Sequence, residues 1–265
     1  ILILTTLVGG TLTANAQVIT HGDRKAHTDA SAMSPTNRKI MTLGDRWWNW
    51  ALGIDTSKVG NPFTDTSGEF CDLGKQKGNL LFLVGTAGEF TQGGVTGGHT
   101  GDVRTCNTPI PRGTNLFFPL FNTECSELES LEFPCAPLPA CQIAPVEEEQ
   151  LRACAIDLVN HVDVDSLKVT IDGVPSNHLV QRVQSGPGGF QLTVVPNNPF
   201  ITALDSPLNV DEPTTTPSVS DGYWVLLKAT SLRPGAHTIS FGAVAEFPEF
   251  DFEFRTEVTY NLVVK

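Results

Sequence analysis

The side chains able to move protons, hold metals or attack carbonyls are present in this chain, but not at the spacings that make a local site. Its six histidines are scattered. None forms an H-E-x-x-H, H-x-H or H-x-x-x-H pattern, so zinc would have to be gathered from distant segments such as His99, His161, His178 and a carboxylate. No metal ligand is assigned on that basis. His99, in the Gly-rich stretch 91–102, is the histidine most available as a ligand or general acid–base, although a loop histidine is ordinarily just solvated. The run Gly93-Gly94-Val95-Thr96-Gly97-Gly98 lacks the Lys-Ser/Thr of a phosphate-binding loop and reads as a flexible hairpin loop. There is no G-x-S-x-G elbow to expose a nucleophilic serine.

Trp47, Trp48 and Trp50 fall within four residues of one short segment, and three indoles so close on a helix cannot all face one core. Two readings follow: an aromatic platform for a sugar or another aromatic group, or packing in the seam between helix and sheet. With His99 they are the candidate ligand-binding residues. Oxygen-rich stretches at Asp65–Glu69 and Asn160–Asp165 have the ligand type for calcium without EF-hand spacing. A structural calcium ion is the one cofactor weighed, against the simpler account that Asp and Ser cap turns there.

Six cysteines, with no C-x-x-C pair, read as three disulfides in an exported chain. Fifteen pairings exist. Cys135 and Cys141 bracket a Pro-rich loop that can close on itself, Cys71 and Cys106 flank two strand-like runs, and Cys125 and Cys154 remain for each other. Residues 1–16, uncharged and ending Ala14-Asn15-Ala16, read as a secretory signal whose removal leaves Gln17 first. No membrane span is expected after that removal. With 17 basic against 29 acidic residues, and Lys/Arg runs no longer than a pair, nucleic acid is excluded as a partner.

The elements that would position these residues follow from periodicity. Residues 17–37 are polar and aperiodic, a flexible mature N-terminus. Ile40, Leu43, Trp47, Trp50 and Ile54 recur at helical steps over 38–54, and a second helix is expected over 145–161, with Glu147, Glu148 and Glu149 in its first turn. Leu80–Val84 and Leu116–Phe121 read as buried strands. After residue 163 the period becomes two. Gly222–Lys228, the turn Leu232-Arg233-Pro234-Gly235 and His237–Phe241 read as a hairpin. Over 250–264 the even positions are apolar except Thr256, while Asp251, Glu253, Arg255 and Glu257 are charged.

Together, Trp48-Asn49-Trp50, the N-P-x-x-D-x-[ST]-G-x-x-C stretch from Asn61 to Cys71, Phe82–Thr86, Arg104–Cys106 and the D-G-Y-W-V…L-x-P-G-x-H-T-I-x-F module from Asp221 onward resemble a family of uncharacterised secreted bacterial β-rich proteins. The resemblance implies an exported, disulfide-linked, β-rich chain and carries over no catalytic residue.

The expected fold is mainly β with two helices: a disulfide-stapled α+β lobe over 38–162, packed on an immunoglobulin-like antiparallel sandwich over 163–265. The first functional reading is a secreted, non-catalytic binding or cell-surface interaction protein, its partner an extracellular protein or a glycan. A glycan hydrolase with paired carboxylates is one alternative. The other is a structural subunit assembling by β-strand addition, through strand 250–264 or a free N-terminal segment, and recognisable by an uncovered, uncharged edge strand.

Overall fold

Ser34 and Pro35 start the first helix for local reasons. The Ser34 hydroxyl accepts from the backbone N–H of Asn37 at 3.1 Å, and proline's fixed φ suits the first helical position. In the computed structural model, which describes residues 33–128, 147–200, 208 and 210–265, helix α1 spans Pro35–Leu52. The signal segment 1–16, residues 17–32 and the loop bearing Cys135 and Cys141 lie outside the described residues. Helix α2 is a single turn, Thr56–Val59, and α3 spans Glu148–Asn160 behind a reciprocal capping box of Glu147 and Gln150. The two expected helices are present and the short α2 is added, but α1 starts at Pro35, inside the segment 17–37 expected to be flexible, because the Ser34 cap and the buried Met33 fix its entry.

Among the described residues, thirteen strands form two sheets. Sheet 1 runs β1 (Lys75–Gln76), β2 (Leu80–Phe82), β6 (Asn115–Ser126), β11 (Thr214–Leu227), β10 (Phe190–Val194), with β9 (Gln181–Arg182) also on β11. Sheet 2 runs β4 (Val95–His99), β3 (Gly88–Gln92), β13 (Phe252–Val264), β12 (Gly235–Phe247), β7 (Lys168–Ile171), β8 (Val174–Pro175). Strand β5 (Asp102–Thr105) lies parallel to β13, beyond the end of β3. Among the described residues, only the β2–β6 and β5–β13 ladders are parallel.

The sheets meet face to face, with Phe118 of β6 stacked on Phe241 of β12 at 4.3 Å between centroids. On the outer face of sheet 1, Phe117, Trp224 and Leu226 receive the buried side of α1. Helix α3 covers the far end of β6 and β11, tied there by the Cys125–Cys154 disulfide and by the Thr123 hydroxyl donating to the Ala155 carbonyl. Cys71–Cys106 joins the loop before β1 to the end of β5.

Two sequence expectations meet a different outcome. Gly222–Lys228 and His237–Phe241 are not a hairpin: β11 lies in sheet 1 and β12 in sheet 2, joined by an arch through a 3₁₀ turn at 229–231. Both flanks of β11 are occupied by β6 and by β9 and β10, while β12 sits between β13 and β7. The segments 38–162 and 163–265 also share both sheets, β6 pairing with β11 and β3 and β5 with β13, so the expected boundary does not separate the sheets. The result is a sandwich whose strands come from both halves of the chain.

Candidate functional site

Trp47 and Trp48 do not form a ligand platform. They are 1% and 0% exposed, and Trp47 contacts the rings of Trp48, Trp50, Phe63 and Trp224 edge-on while its N–H donates to the Leu83 carbonyl. The seam-packing reading holds, because the buried stripe of α1 is wide enough to take both rings at adjacent positions. Trp50 is half-buried and spends its N–H on the Leu73 carbonyl at 2.8 Å.

An open groove runs beside it, lined by Thr42, Asp45, Arg46, Asn49, Trp50 and Gln76. It holds one carboxylate, so the facing pair of a glycosidase is missing there. Burial pushes Asp45 up to about 7, with Arg152 acting in the opposite direction. Most of the other polar groups lining it are committed to the fold. The Asn49 amide is bonded at both ends to backbone, and Gln76 donates to the Gly74 carbonyl.

His99 ends β4 with its side chain 67% exposed, and its Nε2 lies 2.5 Å from Asp102 Oδ1. Asp102 is buried and its second oxygen is 3.6 Å from the guanidinium of Arg104, itself 1% exposed. Arg104 donates to the Tyr260 hydroxyl at 2.8 Å, and that hydroxyl donates to the Val84 carbonyl. The exposed ring is thus anchored to a buried polar chain, as a catalytic histidine would be. Among the described residues, however, no hydroxyl or thiol bonds to it, so the nucleophile of such a device is missing. The contact pins the end of β4 across the tight turn at Thr100-Gly101.

The metal candidates resolve as caps. Asp65 takes hydrogen bonds from the N–H groups of Ser67, Gly68 and Phe70 and from the Ser67 hydroxyl; burial works against its charge, but these donors hold the carboxyl below its usual range. Asp163 accepts from the Asp165 N–H. His161 faces the Asp157 carbonyl and Glu249. Among the described residues, no three His, Cys, Asp or Glu are gathered to hold a metal, so His99, His161 and His178 stay apart.

The sheet edges differ sharply from one another. At the β10 edge Asn49 imitates a neighbouring strand: its Oδ1 accepts from the Thr193 N–H at 3.0 Å and its Nδ2 donates to the Gln191 carbonyl at 2.9 Å. The β1 edge is two residues long and carries Lys75, and the β8 edge is two residues long and contains Pro175, which has no N–H to offer. Strand β5 is covered by the preceding loop, its Thr105 N–H donating to the Ser67 carbonyl at 2.7 Å. Strand β4 has none of these protections. It is five residues long, contains no Asp, Glu, Lys, Arg or Pro, pairs only with β3 among the described residues, and is mostly exposed.

One face of this hairpin carries two exposed apolar side chains beside Gln92 and His99. Phe90 (40% exposed) and Val95 (68% exposed) share it, and Phe90 stacks on Phe252. The tip of the Phe90 ring occupies the space where Gly97 would carry a Cβ, 2.5 Å from that position, so a larger residue there would have to displace the ring. Gly93 and Gly94 both have positive φ, which makes the two-residue turn tight enough for β3 and β4 to pair. Set against family models, curated proteins and solved structures, the chain matches none.

Sequence reasoning took β4 for a loop. The available signal was Gly-Gly between two short runs, Glu89–Gln92 and Val95–Thr96, the spacing of a two-residue hairpin. It was masked because Gly97 and Gly98 supply no apolar alternation.

Proposed function

We propose that this chain is an exported, non-catalytic interaction module that takes on a partner's extended strand at β4. The observation that supports it most directly is the contrast among edges: β1, β10, β5 and β8 are short, covered or sealed by a side chain, whereas β4 is left with an uncharged, exposed edge beside Phe90 and Val95. Unpaired backbone groups on an edge supply affinity, and pockets or shelves for alternate side chains supply selectivity. The docking strand differs from the one expected from sequence, since strand 250–264 is interior to sheet 2, between β12 and β3 with β5. The disulfides, and the absence of any helix among the described residues long and apolar enough to cross a membrane, accord with an exported protein.

The test uses immobilised synthetic ten-residue peptides of alternating apolar and polar residues, with a glycan array as the competing arm. Peptide binding that is lost in Val95→Lys/Thr96→Lys, with an unchanged denaturation midpoint, supports the reading. Binding to a glycan alone, insensitive to those substitutions, overturns it.

A further inference from the structure

We infer that the strand β4 is built to accept is β4 of a second copy of this chain, paired antiparallel about Gly97. This rests on the reading of β4 as the docking edge and names its partner. A two-fold axis at Gly97, normal to the sheet, places Gly97 opposite its own counterpart, Thr96 opposite Gly98 and Val95 opposite His99 of the other copy. Such an interface is isologous and closes as a dimer, so it does not propagate into fibres.

Local charge suits this occupant. The chain carries −12, so two copies repel overall, but the β4 edge itself adds no carboxylate to that repulsion. No residue of β4 is a carboxylate, and the adjacent Asp102 is buried against His99 and Arg104. The nearest other carboxylate along the hairpin, Glu89, lies on β3 opposite Gly98, one strand behind the seam. The two copies of Glu89 would stand three strand spacings apart, at least about 14 Å, beyond the screening length of about 8 Å at physiological salt.

Shape favours it too. Each Phe90 ring leans over its own Gly97 toward the edge. Because both central residues are glycines, no side chain stands between the two rings across the axis. Val95, 68% exposed in one copy, is brought beside the His99 ring of the other. The two half-exposed shelves become one apolar strip along a continuous sheet. A seam of five residues a side is small, which places the dimer among weak, concentration-dependent assemblies.

Sedimentation equilibrium of the full chain over about 1 µM to about 1 mM reads this directly, the range expected for a small interface. The weight-average mass is expected to rise toward twice the monomer's, and to stay monomeric throughout in Val95→Lys/Thr96→Lys. Two further measurements do not depend on that variant folding. Amide exchange at Thr96–Gly98 should slow as protein concentration rises, and spin labels on Val95→Cys should report Cα atoms about 14 Å apart, as the Gly97-centred register requires. A constant monomer mass, or self-association that the two lysines leave intact, overturns the inference. Peptide binding at β4 in a constant monomer would leave the docking edge standing and its self-pairing refuted; silence of β4 toward both peptide and copy would remove both.

Discussion

The side-chain amide of Asn49 and the backbone of Thr193 are joined by a 3.0 Å hydrogen bond that closes an edge of sheet 1 with a helix instead of a strand. Replacing Asn49 by Ala leaves the Thr193 N–H and the Gln191 carbonyl without this partner. We expect a loss of about 1–3 kcal/mol in urea denaturation. Asn49→Asp, which keeps the acceptor and removes the donor, should fall between the two. A midpoint unchanged in Asn49→Ala would show that the amide does not seal the edge.

Trp48 packs against Trp47 and Phe200 with no exposure. Truncation to Ala should cost about 3–5 kcal/mol by opening a cavity, whereas Trp48→Phe should cost far less. Both variants should match the wild type in glycan-array behaviour once differences in folded fraction are corrected. A stable Trp48→Ala would contradict its place in the core.

Burial raises the carboxyls of Asp45 and Glu124 to about 7; Glu124 Oε1 accepts from the Ser218 hydroxyl at 2.6 Å, which offsets part of that effect. In the unfolded chain both lose their protons near pH 4. The folded state therefore binds more protons between about pH 4 and about pH 7, and stability contributed by the protonated forms falls as pH rises through that window. Urea titrations across it should show the decline in the wild type and a shallower slope in Asp45→Asn and Glu124→Gln.

His237 also holds its proton more tightly in the folded state, but there the protonated form is the charged one. Its Nδ1 lies 2.8 Å from the Asp172 carboxylate and its Nε2 2.6 Å from the Arg233 carbonyl, two acceptors that only the doubly protonated ring can satisfy. Partial burial disfavours that charge, but the Arg233 carbonyl and Asp172 outweigh it and raise the pKa. The contact should stabilise the protein fully below the ordinary histidine range and fade as pH rises through the raised value. His237→Gln should lose stability at about pH 5.5 and approach the wild type at about pH 9, since only the cation bonds both acceptors. Chemical-shift titration of the ring protons reads the pKa directly.

How legible all this was depended on how local the information is. The alternation of β13 is written in its residues, and every even position from Phe252 to Val264 is buried as that pattern requires. The helices announce themselves through the apolar and indole spacing of 38–54 and the acidic first turn of α3, whereas the start of α1 at Pro35 lies in a segment that reads as flexible. The partner of a strand is a different kind of fact. Nothing in Gly222–Phe241 records that β11 would take β6 as neighbour and send β12 to the other sheet. The reversal falls at the 3₁₀ turn over 229–231, not at Pro234-Gly235, where β12 already begins, and a turn signal does not say which sheet the chain enters next. The docking edge was hidden for a related reason: what distinguishes β4 is the protection given to the other edges, and Asn49, a polar residue between two tryptophans, gives no sign of the strand it seals.

The interleaving of the two chain halves also governs when the protein can fold. Strand β13 supplies the ladder for β3 and β5, laid down about 160 residues earlier. Such distant pairings impose a high contact order, and with it slow folding. Until Val264 is free, β3, β4 and β5 have no sheet to join, and the uncharged β4 edge belongs to an unfinished chain. A chain made from its N-terminal side therefore completes the sheet behind the β4 edge only after β13 has been made.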